Sequence, residues 1–262
     1  MPAVLILSSF VAASRVGGSV QAAALERMGV RAILAPTVTF GRHPGLGAPG
    51  GGPIADVTFE GVLAGVEAAG GFEDISAMIC GYFASPAQVA AAARTIEKVR
   101  RINPTAPILV DPIMGDVEAG LYVTKTVAEA IARNLVPAAD IIAPNAWELA
   151  RLTGRPAGDL GEVRSAVKAL GAAALISSVP LGDEIGVLLA SPEGEILARH
   201  PRVPNVPKGT GDLLVGLFAG ALAEGISLDE ALMTAVGEVA ALAVGHAVEV
   251  TLERLDAERL DG

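Results

Sequence analysis

The sequence of 262 residues is poor in two residue types that support particular functions. It has a single cysteine, Cys80, and aromatic residues make up 3% of the chain. One thiol cannot form an internal disulfide, and so few aromatic rings leave little surface on which nucleic-acid bases could stack. The formal net charge of −10 also repels a polyanion. The composition therefore predicts a protein that does not bind nucleic acid.

Long hydrophobic runs are also missing. No uninterrupted apolar stretch approaches the ~20 residues that a membrane-spanning helix needs. The first residues, Met1 to Ser8, include a short apolar run, but no basic residues precede it and no small-residue cleavage site follows it. We therefore expect a cytoplasmic protein with no membrane partner.

Several motifs for binding nucleotides or metals are absent. The chain has no G-x-x-x-x-G-K-[ST] sequence, which excludes a P-loop enzyme. No G-x-G-x-x-G follows the first predicted strand, so a dinucleotide site has no support. The three histidines, His43, His200 and His246, lack the spacing of metal ligands.

The hydrophobic pattern predicts a three-layer α/β/α fold. Hydrophobic residues make up 52% of the chain, and short apolar runs alternate with helical patterns, as in a mainly parallel sheet covered on both faces. No linker or repeat divides the chain, so we predict one domain over residues 1–262. The predicted strands cover residues 3–7, 30–35, 77–80, 107–110, 141–142 and 173–176, with an antiparallel hairpin at 185–190 and 196–200. The predicted helices cover residues 19–28, 57–69, 86–101, 124–135, 145–152, 160–170, 213–223 and 228–250, the last range as one long or two short helices.

Residues 37–55 interrupt this alternation. The segment from Phe40 to Pro53 is too rich in glycine and proline for a helix. Loops of this length in compact domains are commonly functional lids. We predict that this segment lacks regular structure and forms a mobile flap over the site.

The segment from Lys208 to Asp212 has the features of a helix start that meets an anion. Gly209 and Gly211 let the backbone turn and approach a ligand closely, and an apolar helix follows from Leu213. The first amides of a helix have no intrahelical partner and lie at the positive end of its dipole. Asp212 could then accept a proton from a substrate hydroxyl while these amides hold a phosphoryl group. The structural alternative is an ordinary turn followed by a favourable first-turn acid.

Two acidic loops follow predicted strands. Asp111 directly follows one strand, and Gly115 allows a turn that could bring Asp116 back toward it. The two acids could hold Mg²⁺ near phosphates, or they could equally belong to a solvated turn. After the next strand, Asn145 and Glu148 have the spacing of a capping box. The functional alternative places Glu148 in the outer shell of the metal and Asn145 near the nucleotide phosphates. Because both strand ends reach the same edge of the sheet, the functional interpretation gains weight.

Three further residues are weaker candidates. Ser9 follows the first strand, where a substrate could be met. Ser177 follows another strand and could donate to a phosphate, or satisfy a turn. Lys208 could neutralise phosphate charge, although an exposed loop lysine is the default.

The chain resembles the pyridoxal kinases of the ribokinase-like superfamily along nearly its whole length. The sequence Gly-Thr-Gly-Asp marks only the superfamily, whereas Asp-Pro-Ile-Met-Gly-Asp followed by Gly-Leu-Tyr-Val is more specific to the vitamin B6 branch. The resemblance is carried by Ser9 with residues 16–19, residues 40–43, 80–82, 111–116, 120–123 and 139–145 with Glu148, and residues 209–213.

The resemblance implies ATP-dependent phosphorylation of the 5′-hydroxymethyl group of pyridoxal to give pyridoxal 5′-phosphate; pyridoxine and pyridoxamine are further candidate substrates. It implies Asp212 as the base, Ser9 and His43 as contacts of the pyridine ring, and ATP and Mg²⁺ as partners. The implied anion hole is Gly209, Thr210 and Gly211, the implied metal residues are Asp111, Asp116 and Glu148, and the remaining implied ATP contacts are Ala143, Asn145, Ser177 and Lys208. Such kinases are typically homodimers and are often helped by a monovalent cation such as K⁺.

The sequence also departs from the family pattern in its flap and at one nucleotide position. Pro44 follows the flap histidine where threonine is usual, Leu46 and Gly47 stand where aromatic residues are usual, and Ala143 replaces a common threonine. Two alternatives therefore stay open. One is a kinase of hydroxymethylpyrimidine or another small alcohol, although hydroxymethylpyrimidine kinases typically have cysteine in place of Asp212. The other is a vitamer-binding protein without catalysis.

Overall fold

A computed structural model describes residues 1–192, 194–204 and 206–243. Eleven strands are found in this part of the chain. They are β1 (Ala3–Val11), β2 (Arg31–Phe40), β3 (Gly51–Pro53), β4 (Ala77–Cys80), β5 (Ile108–Val110), β6 (Gly115–Asp116), β7 (Gly120–Leu121), β8 (Ile141–Ile142), β9 (Ala173–Leu181), β10 (Glu184–Ser191) and β11 (Gly194–Pro201).

Eight α-helices lie between or after these strands in the described residues. They are α1 (Gly18–Arg27), α2 (Asp56–Ala68), α3 (Pro86–Ile102), α4 (Lys125–Asn134), α5 (Ala146–Thr153), α6 (Leu160–Leu170), α7 (Thr210–Ala223) and α8 (Leu228–Ala243). None of the helices in the described ranges combines the length and the apolar character required to cross a bilayer.

Nine of the strands form one sheet in the order β11-β10-β9-β8-β5-β4-β1-β2-β3. The six strands from β9 to β2 in this order are parallel, and β10, β11 and β3 are antiparallel additions at the two edges. The predicted α/β/α fold with a mainly parallel sheet is confirmed. Since parallel strands end at one edge of the sheet, the loops after β1, β4, β5 and β8 meet there.

Alternate side chains of the strands pack into layers on the two faces. Val4 and Ile6 of β1 contact the core beneath α1, α7 and α8, whereas Leu5 and Leu7 contact the core beneath α2, α3 and α4. Helices α5 and α6 cover the part of the sheet around β9 and β10. This two-sided burial explains why the central strands read as continuous apolar runs, and it includes Cys80, which is fully buried.

The flap segment is more regular than its sequence predicted. Strand β2 continues to Phe40, and β3 pairs antiparallel with it through the register Val38–Pro53 and Phe40–Gly51. Pro44–Leu46 adds a turn of 3₁₀ helix. The prediction that residues 37–55 lack regular structure is therefore wrong. An edge strand tolerates proline and glycine, because only one of its sides is hydrogen-bonded in the sheet.

Two other strands run further than expected. The prediction that Ser9 follows the first strand is wrong, because β1 continues through Ser9 to Val11. Ser177 and Ser178 were predicted to follow a strand, but β9 continues through them to Leu181. Their strand is prolonged by antiparallel pairing with β10, which shifts register between Gly186 and Leu188. The prediction of a helix over residues 228–250 is met by α8 as far as Ala243, and the remainder, with His246, lies outside the described residues.

Candidate active site

A cleft of about 530 Å³ lies at the carboxyl edge of the parallel strands. It gathers nearly all of the residues that the sequence singled out, from segments far apart in the chain. The predicted residues that line it are Ser9, His43, Asp111, Asp116, Ala143, Asn145, Glu148, Ser177, Lys208, Gly209, Gly211 and Asp212. Thr210, the remaining predicted residue, is the first residue of α7.

The N-terminus of α7 forms one wall of this cleft. Gly209 is its N-cap with φ of 92°, a left-handed conformation that favours glycine. A Cβ atom at Gly209 would lie 2.4 Å from the carbonyl oxygen of Arg15, so the loop after β1 packs directly against it. The Gly209 carbonyl accepts the first intrahelical bond, from the Leu213 amide. The amides of Thr210 and Gly211 therefore belong to the helical turn whose N–H groups have no intrahelical acceptor.

Asp212 is the third residue of α7 and the acid of its first turn. Its Oδ2 accepts a hydrogen bond of 2.8 Å from the Gly17 amide. Burial raises the pKa of Asp212 to about 6, although the Gly17 amide opposes this change. A carboxyl group with a pKa near neutrality can accept a proton and later release it, as a general base requires.

Asp111 faces the same cleft from the end of β5. Its exposed fraction is 7%. Burial, and then the negative charges of Asp212 and Glu148, raise the pKa of Asp111 well above its usual value. Three carboxyl groups in one poorly solvated space repel one another, and this repulsion favours a cation or a proton among them.

Glu148 links the two acidic loops. Its Oε2 accepts from the Asn145 amide, and Asn145 Oδ1 accepts from the Glu148 amide, so the predicted capping box of α5 is present. Glu148 Oε1 accepts from the amides of Met114 and Gly115. Burial nevertheless raises the pKa of Glu148 to about 7, because its exposed fraction is 3%.

The small hairpin of β6 and β7 was not predicted. Asp116 Oδ1 accepts from the amides of Glu118 and Ala119, and its Oδ2 accepts from the Tyr122 hydroxyl. Gly115 must lack a side chain, since a Cβ there would lie 2.0 Å from the Gly120 carbonyl oxygen. Burial alone would raise the pKa of Asp116, but these donors and the charge of Lys208 lower it. Asp116 is thus an ionised group at the cleft wall.

Part of the cleft lining is apolar. Val11, Val16, Phe40 and Tyr82 line it, with Ser9 at the end of the mostly buried part of β1. This wall suits a flat ring with few polar atoms. Ser9 is the small polar group within it.

His43 lies at the tip of the flap and lines the same cleft. Its backbone amide donates to Ser14 Oγ, and its Nδ1 accepts from the Gly45 amide. The flap tip is braced further by Arg42, whose Nε donates to the Ala48 carbonyl oxygen. The predicted substrate contact at His43 therefore lies on a folded segment.

Some residues of the cleft had no assigned role in the sequence analysis. Gly17, Phe40, Tyr82 and Tyr122 belong to segments that carried the family resemblance, yet their chemistry was not interpreted. The signal that could have found Gly17 is the pair of adjacent glycines before a helix, because residues without side chains permit a close approach of the backbone. The hydrogen bond between Gly17 and Asp212 joins residues 195 positions apart, so the sequence around either residue gives no sign of it.

The carboxyl groups of the cleft suit Mg²⁺ that is bound jointly with substrate phosphates. They do not suit a metal whose ligands all come from the protein. Within the described ranges, no three histidine, cysteine or acidic residues have the arrangement of a metal centre. Mg²⁺ usually binds through one or two carboxylates, water and substrate phosphates. Asp111 is suited to direct contact, whereas Glu148 is already bonded to three backbone amides and suits the outer shell.

Comparison with known proteins identifies the family. Residues 57–253 match the model of a family described as phosphomethylpyrimidine kinase. A pyridoxine/pyridoxal/pyridoxamine kinase of Bordetella avium is 34% identical over 236 residues, which are 87% of this chain and 80% of that protein. A pyridoxal kinase of Deinococcus radiodurans is 32% identical over 253 residues, covering 91% of this chain and 85% of that protein.

A solved structure gives the same result at the level of the fold. The crystal structure of pyridoxal kinase from Entamoeba histolytica superimposes with a TM-score of 0.91 at 25% sequence identity, covering 100% of this chain and 96% of that one. The chain therefore belongs to the phosphomethylpyrimidine kinase family, and its predicted resemblance to the pyridoxal kinases is confirmed.

Proposed function

We propose that this protein transfers the γ-phosphoryl group of ATP to the 5′-hydroxymethyl group of pyridoxal. The observation that carries the proposal is the position of Asp212, in the first turn of α7, beside the amides that can hold a phosphoryl group and in the same cleft as Asp111 and Glu148. The names of the two curated relatives, both vitamin B6 kinases, agree with this chemistry.

The reaction requires the hydroxyl oxygen of the substrate to attack the γ-phosphorus as the bond to ADP breaks. Asp212 accepts the hydroxyl proton, and the amides of Gly209, Thr210 and Gly211 stabilise the charge on the transferring group. Mg²⁺, held through Asp111 with Glu148 and Asp116 behind it, would neutralise phosphate charge. Phosphoryl transfer depends on such positioning and neutralisation more than on covalent chemistry with the protein.

The remaining roles are divided between the two substrates. Ser9 contacts the pyridine ring and His43 covers it from the flap. Asn145, Ser177 and Lys208 contact the phosphates, and Ala143 borders the nucleotide. Lys208 is exposed, and its Nζ lies 4.0 Å from Glu118 Oε2 in an exposed ion pair, which is weak enough for a phosphate group to replace Glu118.

A kinase of hydroxymethylpyrimidine is the second candidate, because the matching family is described by that activity. The test is to incubate the purified protein with Mg-ATP and, separately, pyridoxal, pyridoxine, pyridoxamine and hydroxymethylpyrimidine. ADP and the phosphorylated product are measured in each reaction. Turnover of the pyrimidine alone would replace the proposed substrate. Tight vitamer binding without ADP would indicate a binding protein instead of an enzyme.

Three expectations from the resemblance accompany this proposal. A homodimer is tested by sedimentation of the purified protein, and a K⁺ requirement by comparing turnover in potassium and tetramethylammonium chloride. A cytoplasmic location is tested by fractionating cells that express the protein.

A further inference from the structure

The loop between β1 and α1 contacts both parts of the catalytic machinery of α7. The carbonyl oxygen of Arg15 would lie 2.4 Å from a Cβ at Gly209, the cap of the helix. Two residues later, the Gly17 amide donates to Asp212 Oδ2 at 2.8 Å. One short segment therefore touches both the anion-binding turn and the base.

Gly17 has a conformation that only glycine adopts without strain here. Its φ is 58°. A Cβ atom at this position would lie 1.9 Å from Ser9 Oγ. The geometry that turns the amide toward Asp212 thus depends on the absence of a side chain at Gly17.

The loop is fixed on its other side as well. The Ala12 amide donates to the Phe40 carbonyl oxygen, the Ala13 amide donates to the Gly41 carbonyl oxygen, and Ser14 Oγ accepts from the His43 amide. After the loop, the Gln21 amide donates to the Gly17 carbonyl oxygen in the first turn of α1. The Gly17 amide is therefore held by the flap strand on one side and by a helix on the other.

Among the described residues, the Gly17 amide is the one hydrogen-bond donor to the Asp212 side chain. A carboxylate with one oxygen fixed has a defined rotamer, and its second oxygen, Oδ1, points in a defined direction. The carboxyl groups of Asp111 and Glu148 are close enough for the charge of Asp212 to raise their pKa values, so the Asp212 carboxylate is held among groups that repel it.

We propose that the backbone amide of Gly17 is the positioning group of the catalytic base: it holds Asp212 Oδ2 so that Oδ1 faces the attacking hydroxyl. The inference rests on the proposed kinase function. It assigns to Gly17 an effect on the rate of the transfer step, because the amide is engaged by Asp212 Oδ2. We expect binding of ATP and of the alcohol to change little when this amide is removed.

The test removes the donor without adding a side chain. Cell-free translation with glycolic acid at position 17 replaces the Val16–Gly17 peptide by an ester and the N–H by an oxygen. We expect kcat to fall roughly 10- to 100-fold, the loss that a hydrogen bond to a charged group supports. KM for ATP and for pyridoxal should stay within about twofold. The same ester at Gly18, one residue along, is the matched control and should retain kcat.

A double-mutant cycle separates positioning from general loosening of the loop. In an Asp212→Ala background the ester at position 17 should cause no further loss, since the carboxylate it orients is gone. An equal loss in both backgrounds, or an ester at position 18 that is as harmful, would overturn the proposal. Full kcat in the ester variant at position 17 would also overturn the proposed role of Gly17. The proposed kinase function would still hold in that case, provided that the wild type shows turnover. A wild-type protein without turnover would overturn both.

A measurement on the wild-type fold complements the ester variants. In ¹⁵N-labelled protein, the Gly17 amide proton should resonate downfield and move upfield in Asp212→Ala, as expected when a carboxylate acceptor is lost. The Gly18 amide proton is the internal reference. An unchanged Gly17 resonance would remove the hydrogen bond on which the proposal stands.

Discussion

Replacing Asp212 with asparagine should slow catalysis and stabilise the fold. Asparagine has the same shape, and its side-chain oxygen can still accept from the Gly17 amide. It cannot accept the substrate proton, so turnover should fall roughly 10²- to 10⁴-fold, the range for removal of a general base. ATP binding should remain, because the amides of the α7 N-terminus are unchanged.

The gain in stability follows from the ionisation of Asp212. Burial raises its pKa from 3.8 to about 6, so the unfolded chain releases this proton more readily than the folded protein. Above pH 6 the wild type therefore carries a charge that opposes folding, at a cost of up to about 3 kcal/mol. Asp212 is partly exposed, and water reduces this cost. We expect Asp212→Asn to gain about 1–2 kcal/mol in free energy of unfolding at pH 7.5.

The gain should depend on pH in a defined direction. As the pH falls from 6 toward 4, the folded wild type binds its proton, and the difference between the two proteins should shrink. Urea unfolding followed by circular dichroism at pH 7.5 and pH 4.5 measures both values, with ATP affinity as the control for an intact site. An Asp212→Asn protein with unchanged or lower stability at pH 7.5 would refute the argument from burial. Full activity in the same variant would refute the assignment of the base.

Four further results are expected. The value of kcat/KM should fall as the pH drops below about 6, because Asp212 becomes protonated, and a rate independent of pH between 5 and 7 would contradict this. Gln21→Met should stabilise the protein by about 1–2 kcal/mol in urea unfolding, since its buried amide atoms have no hydrogen-bond partner within the described ranges. Asn145→Ala should destabilise the protein by about 1 kcal/mol and also raise KM for ATP, whereas Thr124→Ala, which removes the cap of α4, should cost similar stability and leave KM unchanged. Chelation of divalent cations should abolish turnover, and excess Mg²⁺ should restore it; activity with chelator present would exclude the metal.

Much of the fold could be predicted because burial on both faces of a parallel sheet leaves a strong local signal. The strands Ala77–Cys80 and Ile141–Ile142 and the helix Leu160–Leu170 have the predicted bounds. The site residues at the strand ends could be predicted for the same reason, since the direction of a parallel strand fixes the edge at which its end lies.

The parts that could not be predicted depend on distant partners. Strand β3 consists of two glycines and a proline, and it is a strand because β2 pairs with it. The β6–β7 hairpin has two residues in each strand and depends on close backbone approach at Gly115. The link from Gly17 to Asp212 depends on the packing of α1 against α7, which the sequence around either residue does not encode.

That link also bears on how the gene can be altered. It joins a residue near the start of the chain to one that follows β11, so neither half of the protein contains a complete active site. Fragments made by proteolysis or by splitting the gene should be inactive separately and regain turnover only when they reassociate. Insertions at exposed turns between the two segments, such as Gly182–Asp183 between β9 and β10, should be tolerated much better than additions that pull on the first strand.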